Sequence, residues 1–84
     1  MARLVFLGRF REIANPALAQ VRLPGGVRTL AGLKDWLAEA EPALGKALDS
    51  ARTQIAVNQV LVRDPSHPIV HDDEIAFLPP MSGG

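Results

Sequence analysis

Two short apolar runs, Leu4-Val5-Phe6-Leu7 and Ile75-Ala76-Phe77-Leu78, stand near opposite ends of an 84-residue chain. Each is bounded by a turn former, Gly8 after the first and Pro79-Pro80 after the second, so both read as strands with little polar surface on either face. Strands of that kind belong in the interior of a sheet, with neighbours on both sides. A chain this size buries only roughly 60–70% of its unfolded surface, enough for one modest core. The beginning and the end of the chain are therefore expected to share one sheet.

Between the two runs the pattern changes period twice. Phe10 to Asn15 reads as a polar turn or a single helical turn stopped by Pro16, and Ala17 to Leu23 alternates as a second strand ended by Pro24-Gly25-Gly26. Thr29 is a good N-cap for a helix in which Leu30, Leu33, Trp36, Leu37 and Ala40 recur at spacings of three and four. Glu41-Pro42 interrupts it, and Pro42 suits the first position of a short second helix with Leu44, Ala47 and Leu48 facing inward. Gln54-Ile55-Ala56-Val57 and Val60-Leu61-Val62 are two strands about an Asn58-Gln59 turn, followed by a loop over Asp64 to Asp73 and the last strand, Glu74 to Leu78. The order is hairpin, helix, hairpin, final strand. A sheet with one face covered by a single long helix satisfies the two-layer rule for small domains. The expected class is α+β, a ubiquitin-like β-grasp with a mixed sheet of about five strands, its first and last strands parallel at the centre. Residues 1–78 form the domain in this reading, and residues 79–84 a flexible Gly-Gly tail.

Composition removes several function classes. Nine Lys+Arg balance nine Asp+Glu, so nothing favours long-range attraction to nucleic acid or to anionic lipid. The absence of cysteine excludes a disulfide framework, a thiolate metal site and a cysteine nucleophile, and suits a reducing, cytoplasmic setting. No apolar stretch approaches the roughly 20 residues needed to span a bilayer, and Leu4 to Leu7 is too short for a signal peptide, so no membrane association is expected.

Side chains able to do chemistry are few. His67 and His71 have an i,i+4 spacing that would suit a metal on a helix, but Pro65 and Pro68 make a helix improbable there, and no metal site is expected. Asp72-Asp73-Glu74 sits where a turn enters a strand, a position at which Asp bonds its own backbone. Gly25-Gly26 lacks the strand and helix N-terminus of a phosphate cradle and reads as a turn.

What remains is the end of the chain. Pro79 and Pro80 forbid further strand pairing, and Met81-Ser82-Gly83-Gly84 carries little bulk in its last three residues. A tail of that kind threads a narrow channel and brings the Gly84 carboxylate beside a partner's reactive groups, although a frayed terminus ending in glycines has the same composition. Alternation adds a second feature. Leu4, Phe6, Ile75 and Phe77 fall on one face of the sheet, and Val5, Leu7, Ala76 and Leu78 on the other. One helix covers one face, so the second set, with Leu61, is expected to form an exposed apolar patch near the base of the tail, the mark of a docking surface.

On three stretches the chain resembles the small-subunit family of molybdopterin synthase, among the bacterial ubiquitin-like sulfur carriers. These are Phe10-Arg11-Glu12 after the opening strand, Ala56-Val57-Asn58-Gln59 before the short hairpin strand, and the ending Asp73 to Gly84 with its double proline and Gly-Gly. The resemblance implies that the protein is not an enzyme on its own and binds no cofactor. It further implies that an E1-like activating enzyme consumes ATP to adenylate Gly84, that a sulfur donor converts the adenylate to a thiocarboxylate, and that the tail, Pro80 through Gly83 with it, enters the large synthase subunit to give sulfur to a pterin precursor. By the same resemblance Leu7, Leu61, Leu78 and Arg11 contact those two partners, with leucines at the first and last of the apolar positions where the family often has bulkier aromatics. Arg11 beside Glu12 also reads as a plain surface ion pair. Other readings are a carrier for thiamine thiazole synthesis, a modifier conjugated to lysines through Gly84, and an interaction module that does not need its glycines.

Overall fold

In the computed structural model, which describes residues 1–49 and 52–80, β1 (Ala2–Phe6) and β5 (Glu74–Leu78) run parallel at the middle of a five-stranded sheet. The strand order is β2-β1-β5-β3-β4, with β2 at Gln20–Val21, β3 at Gln54–Val57 and β4 at Val60–Val62, and every other pairing antiparallel. Leu4 stands opposite Ile75 and Phe6 opposite Phe77, whose rings stack at 5.2 Å. The parallel central pair is the one that belongs to the expected β-grasp, and with the helix packed on one face it makes the α+β, β-grasp architecture.

The main helix, α2 (Leu30–Ala40), starts where Thr29 caps it: the Thr29 hydroxyl accepts a hydrogen bond from the Gly32 N–H at 3.1 Å. Its next free donors are met by the long loop before β5, since the Leu30 and Ala31 N–H groups bond to the carbonyls of His67 and Pro65. Leu30, Leu33 and Leu37 point into the core, while Trp36 is half-buried and Ala40 exposed. Pro42 occupies the first turn of α3 (Pro42–Leu48), which contributes Leu44 and Leu48. The two helices pack so closely that a Cβ on Gly45 would overlap the Ala38 backbone. Together with Leu4, Val57, Ile75 and Phe77 from the sheet these residues form one continuous core. Among the described residues no helix is long and apolar enough to cross a membrane.

Two parts of the chain depart from the sequence-based expectation. The segment Phe10 to Asn15 is a helical turn, α1 (Arg9–Ile13), but it is not merely polar, because Phe10 is fully buried beneath α3. The strand expected over Ala17 to Leu23 shrinks to Gln20–Val21, and Pro16–Ala19 forms a 3₁₀ turn instead. Asn15 decides this: its side chain accepts from the Ala17 N–H at 3.0 Å, and Pro16 supplies the preset φ of a first helical position. Leu18 reaches the core from that turn, so its spacing of three from Val21 is helical in origin rather than a flaw in strand alternation.

Candidate functional site

β5 carries the chain across the middle of the sheet and releases it at Leu78. Pro79 and Pro80 follow, and both are half-buried. Gly8, at the end of β1, has φ +57°, and a Cβ there would lie 2.7 Å from the Pro79 ring, so the bare glycine is what lets the ring settle. Pro80 borders a groove between α2 and the β3–β4 hairpin. The two prolines, the first residues of the segment that the sequence predicts as a tail, therefore rest on the body. Parallel pairing is the cause, because it ends β1 and β5 at the same edge and brings Gly8 under the residue after Leu78. Met81, Ser82, Gly83 and Gly84, the residues assigned the chemistry, lie outside the described residues.

Directly paired strand residues share a face, so the register defines the side opposite α2. Val5, Ala76, Ala56 and Leu61 form one row across four strands. Leu78, opposite Gln54, stands in the next row towards Pro79, and Leu7 follows β1 at the same end, its N–H bonded to the Phe77 carbonyl. Leu61 is 58% exposed and Leu7 41%, whereas Leu78, Val5, Ala56 and Ala76 are half-buried. The two alanines make the middle of the face shallow, with the larger leucines on its margins. At the far end Arg3 and Glu74 close the patch with an ion pair at 3.2 Å. This is the apolar surface predicted from alternation. The row also contains Ala56, which alternation in β1 and β5 alone does not supply; the missing signal is the two-residue turn at Asn58-Gln59, which fixes the register of β3 against β4.

Arg11 extends from the exposed side of α1 and, with Arg3, Val5 and Gln20, lines a shallow depression of about 560 Å³ beside β1. It pairs with no carboxylate among the described residues, so the simple ion pair with Glu12 is not formed. Its guanidinium is left at the rim of the apolar face.

Several of the remaining polar candidates have structural roles. Asp73 accepts from the Asn58 side-chain amide at 2.9 Å and from the Val70 N–H at 2.8 Å, and Asn58 in turn accepts from the Glu74 N–H, which pins the hairpin turn to the start of β5. Gly25-Gly26 is a turn closed by the Val27 N–H on the Pro24 carbonyl. His71 lies 3.4 Å from Asp72 in full solvent, and His67 sits half-buried in the loop that caps α2. Among the described residues no group of three or more His, Asp or Glu side chains is arranged to hold a metal.

With this geometry in place, comparison with known proteins is informative. The model of the ThiS family matches residues 4–84. The molybdopterin synthase sulfur carrier subunit of Escherichia coli is 31% identical over 84 residues, covering the whole of both chains. The protein of the same name from Haemophilus influenzae is 29% identical, again over the full length of each. Among solved structures, SAMP1 from Haloferax volcanii superposes with a TM-score of 0.75 at 22% identity, covering 99% of this chain and 98% of that one, which establishes the shared fold. A family match that runs from the first central strand through the Gly-Gly end, on a sheet of this topology, places the chain in the ThiS family.

Proposed function

We propose that the protein is the sulfur carrier of a molybdopterin synthase and works through the Gly84 carboxylate. The observation that carries this reading is the full-length match to two proteins named molybdopterin synthase sulfur carrier subunit. The open apolar face at the end of the sheet where β5 releases the chain supports it, since a partner seated there stands next to the tail.

A carboxylate is a poor electrophile, so loading needs activation. One Gly84 oxygen attacks the α-phosphate of ATP in the activating enzyme, pyrophosphate leaves, and an acyl-adenylate remains. Sulfide sulfur from a donor then attacks the carbonyl carbon and displaces AMP, leaving a thiocarboxylate. The loaded tail enters the large synthase subunit and passes its sulfur to the pterin precursor. Ser82, Gly83 and Gly84 give the tail a slim profile, so both active sites can close around the backbone. Pro80 and Met81 set the distance from the body. Leu7, Leu61, Leu78 and Arg11 form the seat for each partner. ATP is a co-substrate of the activating enzyme rather than a resident of this chain, and the setting is the cytoplasm.

Intact-mass measurement after incubation with the activating enzyme, ATP and sulfide tests the reading: one oxygen should be exchanged for sulfur, and an unchanged mass with a competent enzyme refutes it. Deleting Gly83 and Gly84 should abolish transfer with no change in the melting transition. The acceptor distinguishes the pterin role from thiazole formation, because only the correct large subunit discharges the loaded tail. Conjugation to lysines is checked by a search for Gly-Gly remnants on cellular proteins. The solved relative named small archaeal modifier protein 1 is 20% identical, a likeness of fold that brings no residue of this chain to that reading.

A further inference from the structure

Beside the open face lies a second surface that shares only Leu61 with the apolar row. Pro80, the last described residue before the tail, forms one border of a groove of about 680 Å³ between the first turn of α2 and the β3–β4 hairpin. Leu30, Ile55, Leu61 and Val62 give it an apolar lining, and Lys34, Arg52 and Arg63 stand around it. Lys34 and Arg63 pair with no carboxylate among the described residues. Asp64 also borders the groove, but its side chain accepts the Ser66 N–H at 2.9 Å and is already engaged. Thr53, on the same lining, carries the one buried side-chain hydroxyl with no hydrogen-bond partner among the described residues.

These features constrain what can cover the groove. A protein that takes the end of this tail into its active site comes close to Pro80, and with it to the groove's border. Covering Lys34 and Arg63 without counter-charges would strip two cations of solvent, a cost that apolar contact alone does not return. Carboxylates opposite them turn that cost into complementarity, and a backbone or side-chain group near Thr53 can satisfy the idle hydroxyl. We propose that the groove seats an acidic loop with apolar flanks, carried by the enzyme that receives the tail and held by Lys34, Arg63 and Thr53. The proposal rests on the sulfur-carrier reading for the identity of the enzyme. The chemistry of the segment comes from the groove itself, whose shared Leu61 makes it continuous with the open face.

The test titrates the full chain by calorimetry against the large synthase subunit and against the activating enzyme. The double variant Lys34→Glu with Arg63→Glu should weaken binding to at least one of them by roughly tenfold or more. The wild type should lose affinity as salt rises from about 50 to about 300 mM. Arg22→Glu, which follows β2 at the opposite edge of the sheet, should bind as wild type does. An amide spectrum confirms that each variant is folded, and Arg63→Gln serves if the double variant is not. Wild-type affinity in the variant, with Leu61→Glu binding lost in parallel, overturns the proposal. If the wild type binds neither protein, the sulfur-carrier reading falls, and the groove is decided separately by nuclear magnetic resonance titration with a synthetic peptide of alternating Glu and Leu. Shifts at Ala31, Thr53 and Val62 that vanish in the variant support the groove. No shifts, or saturable shifts with inorganic phosphate alone, overturn it.

Discussion

Gly8 and the Asn58-Gln59 pair show how much of this structure turns on single backbone conformations. Gly8 has φ +57° with the Pro79 ring against it, so Gly8→Ala meets both backbone strain and a direct clash. Its expected cost is about 1–3 kcal/mol, read as a shift in the urea midpoint, with a displaced Pro79 signal as the local signature. Asn58 and Gln59 both have positive φ, 51° and 71°, as a two-residue hairpin turn demands. Asn58 offsets the conformation with its hydrogen bonds to Asp73 and Glu74, whereas the Gln59 side chain makes no such bond among the described residues. Gln59→Gly should therefore raise stability by about 0.5–1 kcal/mol in the same experiment, and a loss would show that Gln59 makes contacts that matter. Asn58-Gln59 is legible as a turn from its position between two apolar runs. Gly8 reads only as the end of a strand, because its tight contact is with a residue from the other end of the chain.

At the level of elements, what the sequence announces is whatever repeats locally. The Thr29 cap, the Leu30, Leu33 and Leu37 stripe and the Pro42 start all lie within one or two turns of the residues they organise, and all are where the pattern puts them. The 3₁₀ turn at Pro16–Ala19 is hidden because Leu18 and Val21 satisfy a strand pattern and a helical spacing about equally well over so few residues. Phe10 is hidden because a five-residue helix has no period to detect, and its burial comes from α3 lying over it. The close crossing of α2 and α3 is likewise tertiary. Gly45→Ala should push the helices apart at Ala38 and cost about 1–3 kcal/mol, measured by thermal or denaturant unfolding. A neutral result would mean that the helices separate freely.

For the whole molecule, the decisive asymmetry is between the two faces of the sheet. Both central strands are apolar on both sides, yet the helices cover only one, and this much of the candidate site can be read directly from alternation. The extent of the open face cannot, since it depends on which residues of β3 and β4 fall beside Ala76. Leu61→Glu should leave unfolding within about 0.5 kcal/mol of wild type, because an exposed side chain contributes little to the core. It should nevertheless weaken binding to the large subunit by an order of magnitude or more, as measured by calorimetry. Loss of stability instead would mark Leu61 as a packing residue.

The central position of β5 also bears on folding. Residues 74–78 supply the strand that joins β1 to β3, and nothing else in the sheet bridges those two. Without residues 74–78 the two halves of the sheet, β2-β1 and β3-β4, have no strand between them, so the sheet closes only once that strand has joined. The open apolar face, whose row runs through Val5, Ala76, Ala56 and Leu61, is likewise completed only when that strand is in place.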